Sequence, residues 1–283
     1  MQAPLITPFY HQDTQTYSYL LVQGDEAAIV DPVMDFNPAS GVADFHSADG
    51  ILAALPEKCR VRWILETHVH ADHLSAAAYL KEKTGAQVVI GAEVAKVQNH
   101  FAPLFHLPAG DLSGFDHLVN EGDVLPLGAS QIKVIATPGH TPACVSYVLD
   151  GIHVFVGDTF FMPDVGTART DFPGGDARIL YHSLQKLLSL PAGSHFYMCH
   201  DYPPNNRQPA YLCTPEAQRN GNIHLAGRDL SAFVAVREGR DKQLAVPRLI
   251  IPSLQVNLRG GELPAAENGV ICLLWPVNQF GNK

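Results

Sequence analysis

Thr67-His68-Val69-His70-Ala71-Asp72-His73 follows directly on the apolar run VRWILE at 61–66 and precedes LSAAAYLKEKT at 74–84, which stops at Gly85. The run before it reads as a buried strand and the stretch after it as a helix ended by glycine, so the histidines and the aspartate sit on the loop between. Open α/β sheets place their sites at that end of a strand. Three imidazoles and a carboxylate within six positions are costly to hold together unless something positive or hydrogen-bonded draws them in. A metal ion satisfies all four at once. His68 and His70 alternate along the segment leaving the strand, while Asp72 and His73 can point back at a second position. The bland alternative, a polar loop of surface histidines, leaves the spacing unexplained.

Three later strand ends repeat the theme. A strand at 132–136 delivers Thr137-Pro138-Gly139-His140-Thr141-Pro142, where the prolines and the glycine make a sharp turn that aims His140. Two strands at 145–149 and 153–157 flank the hairpin signal Asp150-Gly151, and the second ends in Gly157-Asp158-Thr159. A further strand at 195–199 ends in His200-Asp201-Tyr202. Taken alone, Asp158 could be a helix cap. Four successive strand ends presenting His or Asp are hard to explain structurally.

Upstream, 17–22 and 27–31 read as a β-hairpin, and Asp31 at its end could support the metal loop by hydrogen bonding. Residues 35–49 read as a surface loop leading to a helix near 50–58. Residues 87–91 read as a strand, 92–99 as a short helix, and 101–114 as an irregular connection or a flap. His46, His100, His106 and His117 lack ligand spacing and read as surface or core histidines. A polar, glycine-rich loop at 162–175 leads to a helix over 176–188. After residue 203 one helix is expected, over 229–240, and then a Pro/Gly-broken segment. The expected organisation is therefore one domain over 1–205 with a C-terminal extension, 206–283, packed on it.

The 283 residues are 46% hydrophobic, ample for a layered core. A net charge of −9 disfavours a nucleic-acid partner, whose phosphates need a surplus of Lys and Arg. The five cysteines (Cys59, Cys144, Cys199, Cys213, Cys272) are scattered without a CxxC pair, which fits a reducing compartment. The first twenty residues carry neither a basic start nor an uninterrupted apolar stretch, so no secretory signal or membrane anchor is expected, and the expected location is the cytoplasm.

THVHADH, TPGHTPACVSY, VGDTFF and CHDY, in that order over about residues 15 to 205, resemble the metallo-β-lactamase superfamily. The resemblance implies an α/β, four-layer αββα sandwich with metal between the sheet edges. It makes His68, His70 and His140 resemble a first metal site, and Asp72, His73 and His200 a second, with Asp158 between them. ETHVHADHLSAA, GDTFFMPDVGTARTDFPGG, CHDY and IPSLQVNLRGG further resemble the persulfide dioxygenase branch. That likeness implies one Fe(II) per chain held by His68, His140 and Asp158, with His70, Asp72, His73 and His200 behind them. Two histidines and one carboxylate with open positions suit non-haem Fe(II), whereas zinc has no redox role. The implied reaction consumes O2 and a low-molecular-weight thiol persulfide, such as glutathione persulfide, and yields sulfite and thiol. Arg169 and Tyr202 match positions contacting the thiol carrier, although Arg169 could instead pair with Asp164 or Asp171. A homodimer is also implied by the resemblance.

All seven superfamily ligand positions are kept, so one or two Zn(II) ions remain an alternative. The rival activity is then that of a glyoxalase II-type thioester hydrolase, in which a bridging hydroxide attacks the carbonyl. The Pro/Gly-broken tail argues against it, since such enzymes carry a helical C-terminal substrate domain. A non-catalytic metal- or sulfide-binding protein is a second rival. Cys144 and Cys199 adjoin ligand residues and could serve in packing or in a persulfide relay.

Overall fold

The computed structural model describes residues 3–264 and 269–280. Its first half runs β1 (Leu5–His11), β2 (Thr16–Gln23), β3 (Glu26–Val30), β4 (Val33–Asn37), β5 (Val42–Asp44), α1 (His46–Ala53), β6 (Arg60–Leu65), β7 (Leu74–Ser75), α2 (Ala77–Thr84), β8 (Gln87–Gly91), α3 (Val94–Phe101) and β9 (His117–Val119). The second half runs β10 (Val124–Leu127), β11 (Ser130–Ala136), β12 (Val145–Leu149), β13 (His153–Phe155), α4 (Ala177–Leu188), β14 (His195–Tyr197), β15 (Leu212–Cys213), α5 (Pro215–Gly221), α6 (Leu230–Asp241) and α7 (Ile250–Asn257).

Two six-stranded sheets result, ordered β1-β2-β3-β6-β8-β9 and β10-β11-β12-β13-β14-β15. Every residue of β2 is buried, which requires cover on both faces. Alternation then divides its side chains: Tyr17, Tyr19 and Leu21 point between the sheets, where they meet Tyr147, Phe155 and Tyr197 of the second sheet. Leu20 and Val22 point outwards, into a cluster shared with Leu80 of α2, Val97 of α3 and Leu254 of α7. On the outside of the second sheet, Val148, Val154 and Phe196 pack against Leu180 and Leu184 of α4 and Phe233 of α6. The layers are therefore helix, sheet, sheet, helix, the expected αββα sandwich. Among the described residues, no helix is long and apolar enough to cross a membrane.

Several local expectations need correction. Among the described residues the tail carries α5, α6 and α7 rather than one helix; α7 tolerates Pro252 because it occupies the first turn, where a missing N–H costs nothing. The contrast between a broken tail and a helical one thus loses its basis. α6 does cover the expected stretch, with Asp229 as N-cap accepting from Ala232 N. Residues 35–49 form β4, β5 and the start of α1 rather than a loop. Leu74 and Ser75 pair with β4 instead of opening α2, since the Ser75 amide is drawn to Asn257 Oδ1 (2.8 Å). β1, β9, β10 and β15 are edge or near-edge strands, most of them too short for a period-two pattern to register. Gly85 ends α2, as expected, and does so in the left-handed conformation.

Gly139 sits at φ +132, and a Cβ there would overlap the backbone of Leu180 in α4. Gly139→Ala is expected to lower stability by about 2–3 kcal/mol, read as a shift of the denaturation midpoint at unchanged slope.

Candidate metal centre

The ends of β6, β11, β13 and β14 meet at one rim of the sandwich, and their loops bring all seven sequence-predicted donors together. His68 Nε2 lies 3.8 Å and His140 Nε2 3.7 Å from Asp158 Oδ2. His200 Nε2 lies 3.5 Å from Asp158 Oδ1 and 3.2 Å from Asp72 Oδ2, and His73 Nδ1 lies 3.4 Å from Asp72 Oδ1. Asp158 therefore stands between two donor sets, one of His68, His140 and Asp158 and one of His70, Asp72, His73 and His200.

Whether an ion belongs here can be judged from what the donors lack. His68 Nε2, His70 Nδ1, His73 Nε2, His200 Nε2 and Asp158 Oδ1 are buried with no hydrogen-bond partner. Each such group costs roughly 1–3 kcal/mol if left unserved, and five at one spot call for a cation. The opposite nitrogens are committed. His140 Nδ1 donates to Arg169 O (2.7 Å), and His70 Nε2 faces Asp31 Oδ1 (3.0 Å). His68 Nδ1 meets Thr67 Oγ1 (3.1 Å) and His200 Nδ1 meets Thr16 Oγ1 (3.2 Å). Orienting one ring nitrogen in this way leaves the other as the ligand. Burial holds His68 well below its ordinary pKa and His73 at about 3, so both rings stay in the neutral, metal-binding form. Burial also raises Asp158, a penalty that a bound cation would offset. The residues fit a metal site.

The surroundings show which supports the sequence revealed. Asp31, suspected from its place at a strand end, accepts from Thr67 N (2.8 Å) and Thr67 Oγ1 (2.9 Å) as well as facing His70. Glu66 Oε2 lies 3.5 Å from His70 Nε2. Asn257 of α7 was not foreseen. Its Nδ2 donates to the carbonyls of His70 and His73, each at 2.8 Å, while its Oδ1 takes the Ser75 amide. Nothing in the sequence signals a contact across 187 residues.

The Tyr202 hydroxyl donates to Asp72 Oδ2 (3.2 Å), and its ring stacks on His200. Arg169 chelates Asp171 (2.6 and 2.7 Å) and donates to Ala245 O, while Asp164, its other candidate partner, pairs with Arg207. A cavity of about 560 Å³ opens beside Asp72, His140 and Asp158 and is also lined by Phe161, Arg169 and Tyr202. A second, of about 830 Å³, shares Arg169, Phe172, Leu244, Ala245 and Pro247 with it. Cys144 packs against Thr141, and burial pushes its thiol up to about 12. Cys199 lies among His70, Asp158 and His200, yet burial raises its pKa far enough to keep it a thiol. His46, His100, His106 and His117 take no part in the cluster.

An αββα sandwich with a His/Asp cluster between its sheet ends defines a class of metal-site proteins, and a family model described as the metallo-beta-lactamase superfamily matches residues 11–199. The chain belongs to that superfamily. It is 48% identical to a probable metallo-hydrolase of Burkholderia pseudomallei, over 95% of this chain and 98% of the relative. It is 43% identical to Glyoxylase B2 of Dictyostelium discoideum, over 90% of each. A beta-lactamase hydrolase-like protein of Xylella fastidiosa is 46% identical over 98% of this chain, which spans only 66% of that relative's length. Among solved structures, ETHE1 from Myxococcus xanthus superposes with a TM-score of 0.72 at 28% identity, covering 91% of this chain and 100% of that one.

Asn257→Ala strands two carbonyls and one amide of the metal loop. The expected result is a loss of about 2–4 kcal/mol in denaturant unfolding of the metal-free protein, with roughly tenfold weaker metal binding in chelator competition.

Proposed function

We propose that this protein is a persulfide dioxygenase with one Fe(II) held by His68, His140 and Asp158. The observation that carries the reading is the three-donor set itself, two imidazoles and one carboxylate at 3.7–3.8 Å, standing beside a cavity large enough for a small thiol carrier. The likeness to the M. xanthus ETHE1 over that chain's whole length supports it. When bound, a ferrous ion in such a set supplies redox chemistry with O2 that zinc lacks. The net reaction is RSSH + O2 + H2O → RSH + sulfite + 2 H⁺ (sulfite as SO3²⁻). The outer sulfur is oxidised, O2 is reduced, water supplies the third oxygen and the carrier leaves as thiol.

The chain's own groups have definable tasks. Arg169 uses three of its five N–H donors on Asp171 and Ala245 O, leaving two for a carboxylate of the carrier. Tyr202, Asp72 and His200 form a contiguous polar row beside the cavity. That row can orient the departing thiol through the Tyr202 hydroxyl, which burial and the Asp72 carboxylate keep protonated. Phe161 and Phe172 line the same cavity and restrict water around the reacting sulfur.

The hydrolase reading keeps a specific observation in its favour, since His70 Nδ1, His73 Nε2 and His200 Nε2 also lack a hydrogen-bond partner and could hold a second ion with Asp72. The names of the Burkholderia and Dictyostelium relatives point the same way. Anaerobic purification, metal counting and two assays separate the readings. The expected outcome is about one iron per chain with O2 uptake on glutathione persulfide, and a fall in sulfite formation of at least about a hundredfold in His68→Ala, His140→Ala and Asp158→Ala. Two zinc ions per chain with turnover of S-lactoylglutathione and no O2 uptake would establish the hydrolase instead. Metal and thiol binding without turnover in either assay would mark a binding protein.

A further inference from the structure

His140 is tied to the tail of the chain by a run of buried hydrogen bonds that the reaction above does not use. Arg237 of α6 is 1% exposed and grips Asp241 Oδ1 through Nε (3.0 Å) and Nη2 (2.7 Å). Its Nη1 donates to Thr167 O (2.9 Å), and the Thr167 amide in turn donates to His224 Nδ1 (2.9 Å). The other oxygen of Asp241 accepts from both Thr170 N and Thr170 Oγ1, each at 2.9 Å. Residues 167–170 are thus anchored at both ends to one buried ion pair. Between the anchors lies Arg169, whose carbonyl accepts from His140 Nδ1 at 2.7 Å.

That carbonyl decides which nitrogen of His140 carries the proton. With Nδ1–H donating, Nε2 presents its lone pair on the side of Asp158; a ring released from Arg169 O could take the other tautomer and offer no ligand. A buried Arg–Asp pair is an expensive way to gain stability, since apolar side chains of similar volume often serve as well; here both members of the pair end on the backbone of residues 167–170. We infer that Arg237 and Asp241 are positioning residues for His140, holding the Arg169 carbonyl where it sets the tautomer and aim of that ligand. The assignment rests on the cluster binding an ion and not on which reaction the ion serves.

Cobalt(II) titration of the metal-free protein by chelator competition, with the absorption spectrum of the cobalt form and the ¹⁵N-histidine spectrum of the metal-free form, tests this without any turnover. Asp241→Asn keeps the side chain's shape, but one face of the amide now donates, so it cannot serve Arg237 and Thr170 together. The expected result is roughly ten- to a hundredfold weaker cobalt binding, an altered cobalt spectrum and loss of the His140 Nδ1–H signal. Thr170→Val cuts a single tether and should weaken cobalt binding by about three- to tenfold. Asp229→Ala removes the N-cap of the same helix without touching the pair, and should lower stability while leaving cobalt affinity and the His140 signal as in the wild type. Wild-type cobalt affinity and His140 signal in folded Asp241→Asn would overturn the assignment. So would the same cobalt loss in Asp229→Ala. If Asp241→Asn does not fold, Thr170→Val decides, and an unchanged affinity and signal there would be equally fatal.

Discussion

Five buried donor atoms with no hydrogen-bond partner converge where the two sheets meet, and the rest of the molecule can be read as the apparatus that keeps them there. Imidazoles and carboxylates do not gather in a water-poor space by preference, because each loses hydration and none repays another unless charges are balanced. A cation restores the balance. Until one is bound, geometry has to come from the opposite side of each ring, and there every partner is a fixed element of the fold: a carbonyl for His140, Asp31 for His70, threonine hydroxyls for His68 and His200.

Those partners are reliable because the sheets are stitched together at this rim. The Tyr17 amide reaches across to Cys199 O (2.7 Å), the Val145 amide to Thr67 O (2.9 Å), and the Tyr147 hydroxyl to Glu66 O (3.0 Å). Each of these bonds joins one sheet to a strand-end loop of the other. The aromatic layer between the sheets, with Tyr19 edge-on to Tyr197 and near Phe155, keeps their separation constant. Close packing in the core thus becomes precision at the metal loop, because interiors this dense transmit displacement rather than absorb it.

The tail contributes to the same end from two directions. Asn257 of α7 holds the loop of His70 and His73 from the first helical layer, while Arg237 and Asp241 of α6 hold the Arg169 segment from the second. A region that reads as an appendage by composition therefore touches both halves of the donor cluster. Of its helices, α6 is legible in the sequence, whereas α7 is masked by Pro252, which reads as a breaker but at the first turn interrupts nothing.

By itself the sequence determined the layered α/β class, the four strand ends and the seven His and Asp residues that the fold brings together there, because strands buried on both faces read as apolar runs and these residues follow them at once. Asp31 was half visible for the same reason, sitting at a strand end with no local task. What only the tertiary structure decided was the set of long-range supports: Asn257 beneath the metal loop, Arg237 with Asp241 behind His140, and Asp171 rather than Asp164 as the partner of Arg169. Such choices depend on which backbone groups are left unpaired once the sheets have closed, and a polar side chain far along the chain carries no periodic mark of the gap it will fill.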